Sequence, residues 1–364
     1  MTLGGGSPTM VAERQHSAPP YGQVARAKGR LKGVQIMGRR IRLAAVSFSP
    51  AAKDLKQGQL DLTAISEMAR QVVAMDRPDF ICFPEICACG GDLKGGVANA
   101  PEVEAFTAEV GKLARELKVN LVIPFLEKFA GRVYNSVPIV DRSGTLKMVY
   151  RKNFPTTGEM EHGVSPGWEV PVAECDGVRV GAAVCFDLNY SEVAEQLEKQ
   201  RAQLVFWPTM FWGGKLLEHW TLRYGFAMVA AFGVESAIVD MNGTFLAKQG
   251  QDTWQVRGGR LSPWAVADIN IERELFHLDF NQNKFVAMRK KYGADIKLEI
   301  RQPEAYFLLS SERDGLTIDQ LIKEFELEPL RDYLARSARM RDDHLRGHPE
   351  AAKLPPRTGP MKDR

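Results

Sequence analysis

Apolar and polar positions alternate with a period of two in RLAAVSF (42–48), where Leu43, Ala45 and Ser47 face one way and Arg42, Ala44 and Val46 the other. That period predicts a strand. In LDLTAISEMARQVV (60–73) the period lengthens, and Leu62, Ile65, Met68 and Val72 fall on one helical face. The same alternation of signals continues along the chain. DFICF (79–83) predicts a strand, Phe106, Val110, Leu113 and Leu117 a helix, and NLVIPF (120–125) a strand. VYNSVPIV (133–140) and TLKMVYRK (145–152) are joined by Asp141-Arg142-Ser143-Gly144, a turn composition that predicts a hairpin. VRVGAAVCF (178–186) predicts a strand, SEVAEQLEKQ (191–200) a helix and QLVFWP (203–208) a strand. A longer helix is expected over Leu216–Ala231, and VESAIVDM with GTFLAK closes the series.

Strands that alternate with helices, yet include a hairpin, imply an α/β fold with a mixed sheet: two sheets packed together with helices outside, in one domain over 39–306. Residues 1–38 are rich in Gly, Pro, Ser, Gln and Arg and show no apolar period. Such a segment buries too little surface to offset its ordering entropy, and disorder is expected there and in the Pro-rich tail 346–364. Arg39-Arg40 faintly resembles a twin-arginine export signal, but the alternation that follows predicts the first strand. Residues 307–345 are charged and helical, with Ile318, Leu321, Ile322 and Phe325 as a stripe. That stripe either folds back on its own domain or meets another subunit.

Composition narrows the function classes. Forty-eight basic and 45 acidic side chains in 364 residues leave a formal charge of +3, too balanced to point to nucleic acid or an anionic membrane. No apolar run approaches the length of a membrane span. Five cysteines without framework spacing fit a reducing compartment, and a cytoplasmic protein is expected.

FICFPEICACGG (80–91) crowds Cys82, Cys87 and Cys89 together, but their spacing is not the two-residue knuckle that aims two thiolates at one ion. No metal and no cofactor is expected, and the cysteines are read as packing. Three other residues stand where a β-run meets a loop: Glu85 after DFICFP, Lys152 at the end of TLKMVYRK, and Cys185 at the end of VRVGAAVC. Sheet-based sites are commonly built at that rim. A thiol is a poor nucleophile until a base removes its proton, and a carboxylate can do so. An ammonium stabilises both the thiolate and the oxyanion that forms when it adds to a carbonyl. Glu, Lys and Cys therefore make a complete set for acyl transfer through a thioester.

FPE (83–85), YNS (134–136), YRK (150–152), GAAVCFDLNYSE (181–192), LVFWPTMF (204–211) and RQPEAY (301–306) resemble, in order and spacing, the motifs of the nitrilase superfamily of carbon–nitrogen hydrolases. The resemblance covers about residues 41–306. It implies a four-layer α-β-β-α sandwich, with Glu85 as general base, Lys152 as oxyanion cation and Cys185 as nucleophile. It also implies a second glutamate after the lysine, and of the two in GEMEHG, Glu159 matches the family's spacing better than Glu161. The backbone N–H of Phe186 would share the oxyanion with Lys152. In WPTMFWGG, Trp207, Phe211 and Trp212 are read either as an apolar wall for an acyl chain or as core, and Thr209 is grouped with the substrate-binding candidates.

Phe186-Asp187 follows the nucleophile where the nitrile-cleaving branch has Trp-Glu, which favours amides. Asn189 stands where many amide-cleaving relatives carry Arg, which weakens the case for a carboxylate-bearing substrate. The expected activity is hydrolysis of a small amide or N-carbamoyl compound by a homodimer or higher homo-oligomer. Alternatives are an acyltransferase using the same triad, a non-catalytic scaffold, and a Cys–His hydrolase using His162 or His219. GGDLKGG (90–96) is expected to be a flexible loop near Glu85.

Overall fold

The computed structural model describes residues 39–48, 62–89, 93–250 and 262–350. The extension 1–38 and most of the tail 346–364, both expected to be disordered, lie outside the described residues.

The strands are β1 (Arg40–Val46), β2 (Phe80–Cys82), β3 (Asn120–Val122), β4 (Phe125–Phe129), β5 (Arg132–Val140), β6 (Leu146–Arg151), β7 (Val172–Cys175) and β8 (Val178–Ala182). They continue as β9 (Leu204–Thr209), β10 (Ala227–Phe232), β11 (Glu235–Val239), β12 (Phe245–Gly250), β13 (Trp264–Asn270), β14 (Arg273–His277), β15 (Ile296–Arg301) and β16 (Tyr306–Ser311). The helices are α1 (Thr63–Asp76), α2 (Leu93–Ala98), α3 (Val103–Leu117), α4 (Thr157–Glu161), α5 (Ser191–Lys199), α6 (Lys215–Tyr224), α7 (Phe285–Tyr292), α8 (Ile318–Glu324) and α9 (Leu330–Leu345).

One sheet runs β13-β1-β2-β3-β5-β4, with β6 paired to β5, and the other runs β12-β11-β10-β9-β8-β7. In each, the central strands are parallel and the outer ones antiparallel. The period-two pattern of β1 decides the layering. Leu43 and Ala45 join Phe80, Val180 and Phe206 in the core between the sheets, which extends to Val193 and Leu197 of α5 and Leu217 and Trp220 of α6. Ala44 and Val46 turn the other way onto Ile65, Ala69 and Val72 of α1 and Phe106, Val110 and Leu113 of α3. The fold is thus the expected α-β-β-α sandwich. Fully burying one such aliphatic or aromatic side chain contributes about 1.5–3 kcal/mol.

Three elements differ from the pattern reading. The helix expected over 216–231 stops at Tyr224, where Gly225 caps it with φ +68°, and 227–232 form β10. Its run AMVAAF is covered on both faces, and a fully buried strand loses the alternation that would reveal it. Within the glycine-rich run expected to be a loop, Leu93 begins α2, and residues 90–92 lie outside the described residues. Beyond 262, β13 pairs with β1, and a separate small sheet runs β14-β16-β15. The boundary expected at 306 therefore falls at the first residue of β16. Ile318 and Leu321 of α8 pack against Phe276 and Phe307 of that sheet, so the stripe folds back on its own chain.

Candidate active site

The site assembles where three strands end. Glu85 follows β2 by three residues, and the next residue, Ile86, has φ +42°. Lys152 directly follows β6; its N–H donates to Asn135 O (2.8 Å) and its carbonyl accepts from Gly167 N–H (2.7 Å). Cys185 opens a one-turn helical segment (Cys185–Asn189) after β8 and has φ +44°. Left-handed backbone at a non-glycine residue costs of order 1–3 kcal/mol and persists only where the surroundings over-determine it. The indole Nε1–H of Trp207 supplies part of that constraint by donating to Cys185 O at 3.1 Å. Glu159 sits in the first turn of α4, where a reciprocal cap holds it. Its N–H donates to Thr156 Oγ1 (3.2 Å), and its Oε2 accepts from Thr156 N–H (2.8 Å).

These elements bring three charges together. Lys152 Nζ donates to Glu85 Oε1 (2.9 Å) and to Glu159 Oε2 (2.7 Å). Asn135 Nδ2, on β5, donates to the same two carboxylates, at 2.8 Å to Glu85 Oε1 and 2.9 Å to Glu159 Oε1. Lys152 is 1% exposed, Glu85 4% and Glu159 9%. Among the described residues, Glu85 Oε2 and Asn135 Oδ1 are buried and accept no well-formed hydrogen bond.

Burial opposes the charge on Lys152, but Glu85, Cys185 and Glu159 beside it override that and hold the ammonium protonated above its ordinary range. Glu159 is likewise opposed by burial, and Lys152 with the Asn135 and Thr156 donors brings its carboxyl below the usual value. Burial, reinforced by the charge of Glu85, pushes the Cys185 thiol up to about 12, against the pull of Lys152 and of the Met210 N–H. The thiol at rest is therefore protonated, with a carboxylate beside it to take the proton.

The other candidates are placed as follows. Trp207 is fully buried beneath the turn at Cys185 and packs edge-on to Phe211 (centroids 5.1 Å apart), so it belongs to the core and not to an open wall. Thr209 is also buried; its hydroxyl donates to Phe211 O and accepts from Phe211 N–H, shaping the loop after β9. Phe186 is half-buried against Tyr190, whose ring stacks on Phe154 at 3.8 Å. Met210 and Trp212 are about half exposed. Glu161 is exposed, which leaves Glu159 as the second glutamate of the cluster. His162 turns Nδ1 to Gly158 O on the surface, and His219 packs edge-on to Tyr224 in α6. The thiols of Cys82, Cys87 and Cys89 are buried and lie against backbone carbonyls. Among the described residues, no three His, Cys, Asp or Glu side chains converge as a metal site.

Two residues escaped the sequence reading. Asn135 lies in the YNS run, but nothing local shows that its amide reaches carboxylates 50 and 24 positions away. Asp187 served there only to favour amides over nitriles. In the structure its carboxylate is fully buried and accepts from Tyr150 Oη (2.7 Å), Val184 N–H (2.8 Å) and Phe154 N–H (2.9 Å).

A family model for carbon-nitrogen hydrolases matches residues 42–270. An N-carbamoylputrescine amidase of Arabidopsis thaliana is 32% identical over 106 residues, 28% of this chain and 36% of that protein. A human omega-amidase is 28% identical over 127 residues, 32% of this chain and 45% of that protein. The chain thus spans less than half the length of these curated relatives. Among solved structures, an amidase from Nesterenkonia sp. superposes with a TM-score of 0.54 at 20% identity, over 71% of this chain and 99% of its own. A variant of that enzyme carries the acetamide moiety of fluoroacetamide on its active-site cysteine (TM-score 0.56, 18% identity, 71% and 99% coverage).

Proposed function

This chain belongs to the carbon-nitrogen hydrolase family, and we propose that it hydrolyses a small amide or N-carbamoyl compound through a thioester on Cys185. The observation that carries this reading is the buried Glu85–Lys152–Glu159 cluster set against a thiol at the end of β8. Glu85 takes the thiol proton as sulfur adds to the carbonyl carbon. Lys152 Nζ spends two N–H bonds on carboxylates, so its third is left for the oxyanion, with the Phe186 N–H as second donor. The tetrahedral intermediate collapses, the C–N bond breaks, and Glu85 returns its proton to the departing ammonia or amine. Water then gives its proton to Glu85 and adds to the thioester, and the thiol leaves with that proton. Glu159 and Asn135 hold Lys152 and Glu85 in place.

In the Nesterenkonia enzyme an active-site cysteine is the residue that becomes modified, which supports the role given to Cys185. A cytoplasmic homo-oligomer is part of this proposal; among the described residues no helix is long and apolar enough to cross a membrane.

The test is ammonia release from a panel of aliphatic, aromatic and N-carbamoyl amides with matched nitriles, with Cys185→Ala as blank. Turnover of amides that vanishes in the variant is the expected result. Activity lost to a chelator, or retained in Cys185→Ala, would overturn the mechanism. Silence from folded protein across the panel would overturn the hydrolase reading in favour of acyl transfer or a non-catalytic scaffold role.

A further inference from the structure

Lys152 and Cys185 end strands of different sheets, so no single ladder of backbone hydrogen bonds sets the distance between them. One carboxylate spans that gap. Asp187, two residues after Cys185, accepts from the Tyr150 hydroxyl, two residues before Lys152, and from the Phe154 N–H, two residues after it. Its Oδ2 also accepts from the N–H of Val184, the residue immediately before the nucleophile. The chain is thus gripped on both sides of the lysine and at the threshold of the cysteine by one fully buried side chain.

From this geometry we propose that Asp187 is a positioning residue that fixes Cys185 against Lys152, with Tyr150 as its counterpart across the sheets. The proposal rests on the roles given above to Cys185 and Lys152. Two features of the site require such a device. Cys185 holds φ +44°, a conformation that relaxes unless its neighbours prevent it, and Trp207 constrains only its carbonyl. The oxyanion needs donors placed to within a fraction of an ångström, and a displacement of about 1 Å can cost 100-fold in rate. Asparagine does not substitute for Asp187. Three donors converge on the two carboxylate oxygens, and an amide of the same shape would turn its NH2 toward at least one of them.

The experiment compares wild type with Tyr150→Phe, Asp187→Asn and the double variant. It uses the best amide of the panel and measures the melting temperature of each. The expected result for Tyr150→Phe is a kcat lowered about 10- to 100-fold with KM within about threefold, since the substrate's own contacts survive. The double variant should be no worse than Asp187→Asn alone, because both act through one link. Variants that melt lower but keep kcat within twofold per folded molecule would reduce Asp187 to a structural role and overturn the proposal. Tyr150→Phe removes only a hydroxyl and carries the test if Asp187→Asn does not fold. Should wild type turn over no amide, the hydrolase reading fails first. The rate of Cys185 alkylation by iodoacetamide then decides, and equal rates in wild type and Tyr150→Phe would overturn the positioning role.

Discussion

Lys152 Nζ lies 2.9 Å from Glu85 Oε1, and both side chains are almost wholly withdrawn from solvent. A buried ion pair is a weak source of stability, yet deleting one member leaves the other charge stranded. Here the ammonium serves two carboxylates, so its loss is the severe case. Lys152→Met should lower stability by about 3–5 kcal/mol and abolish amide turnover. Denaturant unfolding and ammonia release check the two separately. A variant as stable as wild type would show that the carboxylates shed their charge without the lysine.

Because burial and Glu85 raise the Cys185 thiol to about 12, free enzyme should react with iodoacetamide slowly at pH 7, and faster as pH rises, without a plateau between pH 7 and 9. Glu85→Gln should lose amide turnover while its cysteine is alkylated no more slowly than in wild type, because the carboxylate charge that helps raise the thiol is gone. An inflection near neutrality would mean that the resting cysteine is already a thiolate.

Asn135 donates to both glutamates through one amide nitrogen. Hydrogen bonds to charged groups are worth about 1.5–3 kcal/mol each. Asn135→Ala should therefore lower both the melting temperature and kcat, the latter by about tenfold or more. Wild-type kcat in this variant would show that Lys152 alone orients the pair.

Asp187 supplies the pH prediction. Burial raises its carboxyl to about 6, against the hydrogen bonds from Tyr150, Val184 and Phe154 and the charge of Lys152. The folded state thus holds the proton more tightly than the unfolded chain. That contribution is complete below about pH 4, the ordinary aspartate range, and is lost as pH rises through 6. The melting temperature of wild type relative to Asp187→Asn should fall from pH 4 to pH 7. Glu159, shifted the opposite way, is common to both proteins and cancels. A wild type that gains on the variant as pH rises would reverse the assignment.

Two arginines provide a contrast in ion-pair energetics. Arg151 reaches Glu127, a side chain with no solvent exposure, at 2.6 Å, whereas Arg70 and Glu116 pair at 2.8 Å with about half of each side chain exposed. Arg151→Met should cost about 3–5 kcal/mol, whereas Arg70→Met should leave stability close to that of wild type. Chemical denaturation of the two variants decides. Equal losses would count against burial as the controlling factor.

What the sequence determined by itself was the local part of the site. Glu85, Lys152 and Cys185 each stand at or just after the end of a β-type run, and a strand that leads into a reactive residue is readable from neighbours alone. The alternation in β1 was likewise enough to imply two faces, and hence layers on both sides of a sheet. Only tertiary structure decided the rest. That 227–232 form a strand depends on cover from both faces, which erases the periodicity. Trp207 could be wall or core until packing placed it under Cys185. The amide of Asn135 meets Glu85 across the strand order of one sheet, whereas the carboxylate of Asp187 meets Tyr150 and Phe154 through the stacking of two sheets, and the fold sets both distances. No spacing within one strand encodes them, because a side chain's direction is local but its partner is chosen by the fold.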